Sequence, residues 1–69
     1  MSKSVYEVLG VSAAASTELI EHAYRGGVQR LEPLAEAGDD DAKAKLILLK
    51  ESYRAINSPA RRARYDSAL

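Results

Sequence analysis

Residues 20–34 read IEHAYRGGVQRLEPL, and the spacing of their apolar and small side chains decides the fold. Ile20, Ala23, Tyr24, Gly27, Val28 and Leu31 fall at i, i+3, i+4, i+7, i+8 and i+11. That is one continuous stripe on a helix and a poor match to the alternation of a strand. Such a stripe has to be covered by a second element. Gly26 and Gly27 lie in the helix interior, where each glycine is less favourable than alanine by about 1 kcal/mol. Two readings of Gly27 stay open. It is either a core position vacated by drift and partly compensated by Val28, or the mark of a close helix approach or functional bend. Farther on, Pro33 lacks the N–H that a helix interior needs and biases Glu32 toward an extended backbone. The helix is therefore expected to turn at Glu32-Pro33-Leu34, with residues 34–41 forming the main loop around Gly38.

The partner for the stripe lies downstream. Ala42, Leu46, Leu49, Tyr53 and Ile56 repeat at 4, 3, 4, 3, a seam suited to antiparallel packing on the first stripe. Lys43, Lys45, Lys50, Glu51 and Arg54 fall off that seam, and Ile47 and Leu48 flank it. Asp39, Asp40 and Asp41 are better suited to capping this helix than to binding a cation, because the alternate ligand positions and distal glutamate of a calcium loop are missing. Outside the pair, Ser4 caps a short helix to Leu9, with Glu7 placed for a capping box and Gly10 for a left-handed stop. Ser12 to Ala15 is a small-residue connector. Ser16 is the N-cap of the striped helix, with Glu18 in its first turn. Ser58-Pro59 starts a last short helix carrying Arg61, Arg62 and Arg64 and closing at Tyr65-Asp66. The expected architecture is all-α: a long antiparallel helix pair with a short helix at each end, forming one domain over residues 1–69.

Composition narrows the function. The chain has 69 residues, no cysteine, and ten basic against ten acidic side chains. A core of this size supplies roughly 3–5 kcal/mol of net stability, and no disulfide can supplement it. Zero formal charge gives no bulk argument for nucleic acid or an anionic membrane. The longest apolar run, Leu46 to Leu49, is far short of the roughly 20 residues that span a bilayer. With no signal-peptide layout, a cytoplasmic location and a native start at Met1 are expected. His22 is the lone histidine and lies on a different helix face from Tyr24. With no thiol nucleophile, phosphate loop or acid–base pair, an enzyme is not expected, and no cofactor or metal is called for. Tyr6, Tyr24 and Tyr53 are expected in the core with their hydroxyls at its edge, and Tyr65 on the long helix pair.

Taken in order, these residues resemble the J domain of the DnaJ co-chaperone family. Tyr6 to Val11 (YEVLGV) looks like its opening signature, and Ile20, Ala23, Tyr24 and Arg25 like the start of its second helix. Leu46, Leu49, Ser52, Tyr53 and Ile56 resemble its third-helix core. Ser58-Pro59, Arg62, Tyr65 and Asp66 resemble its closing turn and fourth helix. The likeness runs from about Val5 to Asp66. It implies the J-domain fold and a protein partner, a DnaK-type chaperone, whose ATP hydrolysis is triggered by His-Pro-Asp placed directly after the second helix.

Three departures bear on that implication. Glu32, Pro33 and Leu34 stand where the family carries His-Pro-Asp, so only the proline remains. The exposed face of the second helix, usually rich in lysine and arginine, offers Arg25 and Arg30 with Gln29 against Glu18, Glu21 and Glu32. Gly27 stands where the family usually has leucine. The expectation is a degenerate J-like interaction domain that does not stimulate ATP hydrolysis. Its partner contacts would lie at Glu32, Pro33, Leu34, Arg25, Gln29 and Arg30. Another domain of a longer chain is also a candidate partner. A working J domain that binds a DnaK-type chaperone is the alternative. A third reading uses Arg54, Arg61, Arg62 and Arg64 as a basic surface for an acidic partner or nucleic acid. With no exposed aromatic side chain interleaved to stack on bases, nucleic acid is the weaker of these.

Overall fold

Each helix starts and stops where its end groups find partners. The computed structural model describes residues 4–68, and the expectation about Met1 falls outside them. Helix α1 is Val5–Leu9, α2 Thr17–Glu36, α3 Asp40–Ile56 and α4 Pro59–Ala68. The Ser4 hydroxyl accepts the Glu7 N–H, Ser16 that of Leu19, Asp39 that of Ala42 and Ser58 that of Arg61, at 3.1–3.3 Å. These four caps satisfy N–H groups that the first turn of a helix leaves unpaired. Gly10 closes α1 at φ 75°, with the Gly10 and Val11 N–H groups bonded back to the carbonyls of Glu7 and Tyr6. The pattern is a Schellman stop, which needs a left-handed residue without a Cβ.

Helices α2 and α3 form the expected antiparallel pair. Tyr24 lies against Tyr53, with ring centroids 4.0 Å apart and planes 7° from parallel, while Gly27 faces Leu49. Ile20, Leu49 and Ile56 centre the core, with Tyr6 and Leu9 of α1 and Ala15 of the first connector. Val28, Leu31 and Tyr53 pack at its edge. Ala15 is 8% exposed, so the small-residue connector contributes a buried residue. Ile47 and Leu48 both remain exposed.

The structure corrects one expectation, decides between two readings left open and extends a third. First, α2 does not stop at Pro33. It continues to Glu36, and the loop expected over residues 34–41 shrinks to residues 37–39. Pro33 deprives the Gln29 carbonyl of its usual i+4 donor, a loss associated with about 3 kcal/mol in a helix interior. The residues beyond it recover bonds: Ala37 donates to the Pro33 carbonyl, Gly38 to Ala35 and Asp39 to Leu34, at 3.0–3.1 Å. Gly38, at φ 99°, makes this second Schellman stop possible, and Asp39 then caps α3 directly. Second, of the two readings left open for Gly27, the contact with Leu49 favours the close helix approach. A Cβ built there would lie 2.7 Å from Leu49 Cδ2 and 3.4 Å from Cδ1. The Leu49 side-chain end lies against Gly27, and the glycine permits that close approach beside the groove that both residues line. Third, Tyr65, packed at the edge of the core, also reaches α1. Its ring meets that of Tyr6 edge-on at 5.8 Å, and its hydroxyl accepts the Val5 N–H at 3.1 Å.

Candidate protein-interaction site

Helical phase sets what the region around Glu32 can present. Arg25, Gln29, Glu32 and Glu36 follow one another at i, i+4, i+7 and i+11, so they share the face of α2 turned away from α3. All four are exposed. Arg25 is already engaged, its Nη2 lying 2.6 Å from Glu21 Oε1. Because α2 runs to Glu36, it carries Glu18, Glu21, Glu32 and Glu36 against Arg25 and Arg30, a formal net of −2 with His22 neutral. Glu36 had been expected in a loop, and its addition to this face makes the helix more acidic than the sequence reading allowed.

The tripeptide divides between two directions. Glu32 and Leu34 are two residues apart on a helix, about 200° in phase, and project from nearly opposite sides. Leu34 is half exposed at 50%, near the tip of the α2–α3 pair. The Glu32 carboxylate therefore does not reach the space that the Leu34 side chain occupies. Arg30, one turn before Leu34, lies on the same flank as Leu34, away from Glu32. It lines a groove of about 320 Å³ with Val8 and Leu9 of α1 and Lys45 and Leu49 of α3. The Lys45 ammonium is 3.0 Å from Asp41 Oδ2, and this bond raises its pKa above the ordinary lysine value. The structure thus brings Arg25, Gln29 and Glu32 together and separates Arg30 and Leu34 from them.

The basic residues near the C-terminus also divide. Arg54, Arg61 and Arg64 border one groove between α3 and α4. Arg62 turns inward. Its Nη2 donates to the Ala13 carbonyl at 2.8 Å, its Nε donates to the Tyr6 hydroxyl at 3.2 Å, and its guanidinium lies 5.5 Å from the Tyr6 ring centre. Arg62 accordingly joins α4 to α1 and the first connector, and leaves the basic surface in which it had been grouped. The Tyr6 hydroxyl completes the network by donating to Asp66 Oδ1 at 2.6 Å. Burial lifts the Tyr6 phenol pKa above its ordinary value, the bond to Asp66 adds to the rise, and Arg62 opposes it. The arginine count alone could not sort these roles. The signal available was phase: Arg62 and Asp66 are four apart on α4, and both reach Tyr6.

None of the four described helices is long and apolar enough to cross a membrane. Comparison with known proteins places the whole arrangement. The chaperone protein DnaJ of Halothermothrix orenii is 40% identical over 65 residues, covering 94% of this chain and 17% of the relative. That of Deinococcus proteolyticus is 41% identical over 64 residues, covering 93% and 21%, and that of Shouchella clausii 42% over 67, covering 96% and 18%. This chain spans about a fifth of the length of these relatives. No solved structure matched it. The family model of the DnaJ domain matches residues 4–66, nearly the whole chain, and with four helices in the expected order the chain belongs to the DnaJ-domain family.

Proposed function

We propose that this domain is a J-like protein-interaction module that does not stimulate ATP hydrolysis by a DnaK-type chaperone. The observation that carries the reading is Leu34. It stands at the position of the family's aspartate, half exposed at the end of an unbroken α2. An aspartate there is an anionic acceptor for a cationic donor on the partner. Leucine accepts no hydrogen bond, and a guanidinium brought against it loses its counter-charge. Removing one member of such a desolvated pair costs about 2–5 kcal/mol, or at least about 30-fold in affinity.

Two further features point the same way. The family's tripeptide directly follows its second helix, whereas Glu32-Pro33-Leu34 lies within α2. The net charge of α2 is also opposite in sign to the basic face that would be steered to an acidic chaperone surface. The partner is then a protein with a different surface, or another domain of a longer chain for which residues 1–69 form one unit. The cytoplasm is the compartment proposed for it, on the absence of cysteine.

Direct binding to the ATP-bound chaperone tests the reading. Titration of this domain is expected to give no saturable signal at concentrations that saturate a J domain with His-Pro-Asp. Saturation in the same range would overturn it.

A further inference from the structure

A groove of about 680 Å³ runs between the end of α3 and α4, on a different side of the molecule from the outer face of α2. Small apolar side chains, Ala55, Ala60 and Ala68, line it, and Arg54, Arg61 and Arg64 border it. Arg61 and Arg64 are one helical turn apart on α4, and Arg54 belongs to the last turn of α3. Arg61 Nη1 donates to the Arg54 carbonyl at 3.2 Å. That bond satisfies an acceptor left over at the end of α3 and holds the guanidinium beside the groove.

No ion pair within the described residues engages these cations. Among the described residues the ion pairs are Arg25 with Glu21, Lys43 with Asp40 and Lys45 with Asp41, none of which involves the groove. Asp66, the one acid on α4, is bonded to the Tyr6 hydroxyl. The contrast with Arg62 is informative. Arg62 of α4 commits its guanidinium to internal bonds that join α4 to α1 and the first connector, whereas Arg61 uses only Nη1 on the Arg54 carbonyl and Arg64 extends toward solvent beside alanine. A guanidinium fork matches a carboxylate geometrically, and alanine walls allow another backbone to come close.

We propose that the α3–α4 groove is a docking site for an acidic amphipathic helical segment of a protein partner. Small apolar residues of the segment lie on Ala55, Ala60 and Ala68, and carboxylates one turn apart meet Arg61 and Arg64 with a third at Arg54. A nucleic acid is disfavoured because the groove offers no free ring for stacking. The ring of Tyr65 is engaged with Tyr6, and its hydroxyl with the Val5 N–H. The proposal does not depend on the reading of Leu34, since no residue is shared between the two surfaces.

The test is fluorescence anisotropy with the 69-residue chain and a labelled synthetic helical peptide that alternates glutamate and alanine at one-turn spacing. Binding is expected to weaken about tenfold in the R54E/R64E double variant and to fall as salt screens the charges. It should be unchanged in E32H/L34D. R54Q/R64Q gives the same comparison should the reversed variant melt early. Binding unaffected by either double variant overturns the proposal. So does equal binding of the peptide with glutamine for glutamate, or tighter binding of a single-stranded oligonucleotide of the same charge.

Discussion

The two ends of the α2–α3 pair are built by different means. Where α1 and α4 cover it, the pair is held by shape: Gly27 admits Leu49, Tyr24 stacks on Tyr53, and Ile20 and Ile56 are 1% and 2% exposed. At the tip there is little core. Ala42 is buried, Leu34 is half exposed, and order comes from hydrogen bonds, the stop at Gly38 and the cap at Asp39. Packing cannot be changed at the covered end without disturbing the fold. The tip can change its side chains while its backbone bonds persist, and this is where we propose that Glu32-Pro33-Leu34 stands in place of the family's tripeptide.

That contrast predicts a graded set of effects. Gly27→Leu inserts a side chain into space that Leu49 occupies. Overpacking of this kind costs about 1–3 kcal/mol and should lower the thermal midpoint by about 10 °C in a domain of this size. A rise would mean the site is vacant after all. Gly26→Ala is the internal comparison. Nothing lies within 4 Å of the added Cβ, so propensity alone should raise stability by up to about 1 kcal/mol.

At the tip, Pro33→Ala returns an N–H to the Gln29 carbonyl. Denaturant melts should show a gain of about 1–3 kcal/mol, because α2 already passes through this position. A loss would show that the proline fixes the tip rather than burdening it. The smallest effect compares two arginines on one helix. Arg62→Ala removes the bonds to Tyr6 and Ala13 and should cost about 1–2 kcal/mol. Arg64→Ala, at an exposed position, should stay within about 0.5 kcal/mol. Equal effects would undo the division of α4 into a structural and a free basic side.

The same contrast explains what was legible in the sequence. The stripe from Ile20 to Leu31 and the seam from Ala42 to Ile56 gave the helix pair, because periodic apolar residues have one low-energy solution: burial against each other. The serine caps and Gly10 were readable because their chemistry is local. The tip was misread because two local rules conflict there. Pro33 argues for a stop, whereas Gly38 and Asp39 supply a stop one turn later with better bonding. The competition is settled by energies of a few kcal/mol, below what a pattern resolves. Gly27 stayed open because spacing places a residue on a face without saying which neighbour fills the space beside it. The site residues followed a similar course. Arg25, Gln29 and Glu32 come together as their phase requires. Arg30 and Leu34 diverge from that group by phase alone once α2 is seen to run through Pro33, and Arg62 diverges because α4 packs it toward Tyr6 and Ala13.

The most direct test of the account is single-turnover ATP hydrolysis by a DnaK-type chaperone with this domain added, beside its E32H/L34D variant. The account predicts that the unaltered domain leaves the rate at its basal value. Restored stimulation by the variant would assign the loss to the tripeptide alone, and continued silence would place part of it in the acidic face of α2. Stimulation by the unaltered domain would contradict the account, since it would mean that neither an aspartate at position 34 nor a basic α2 is needed to trigger the partner.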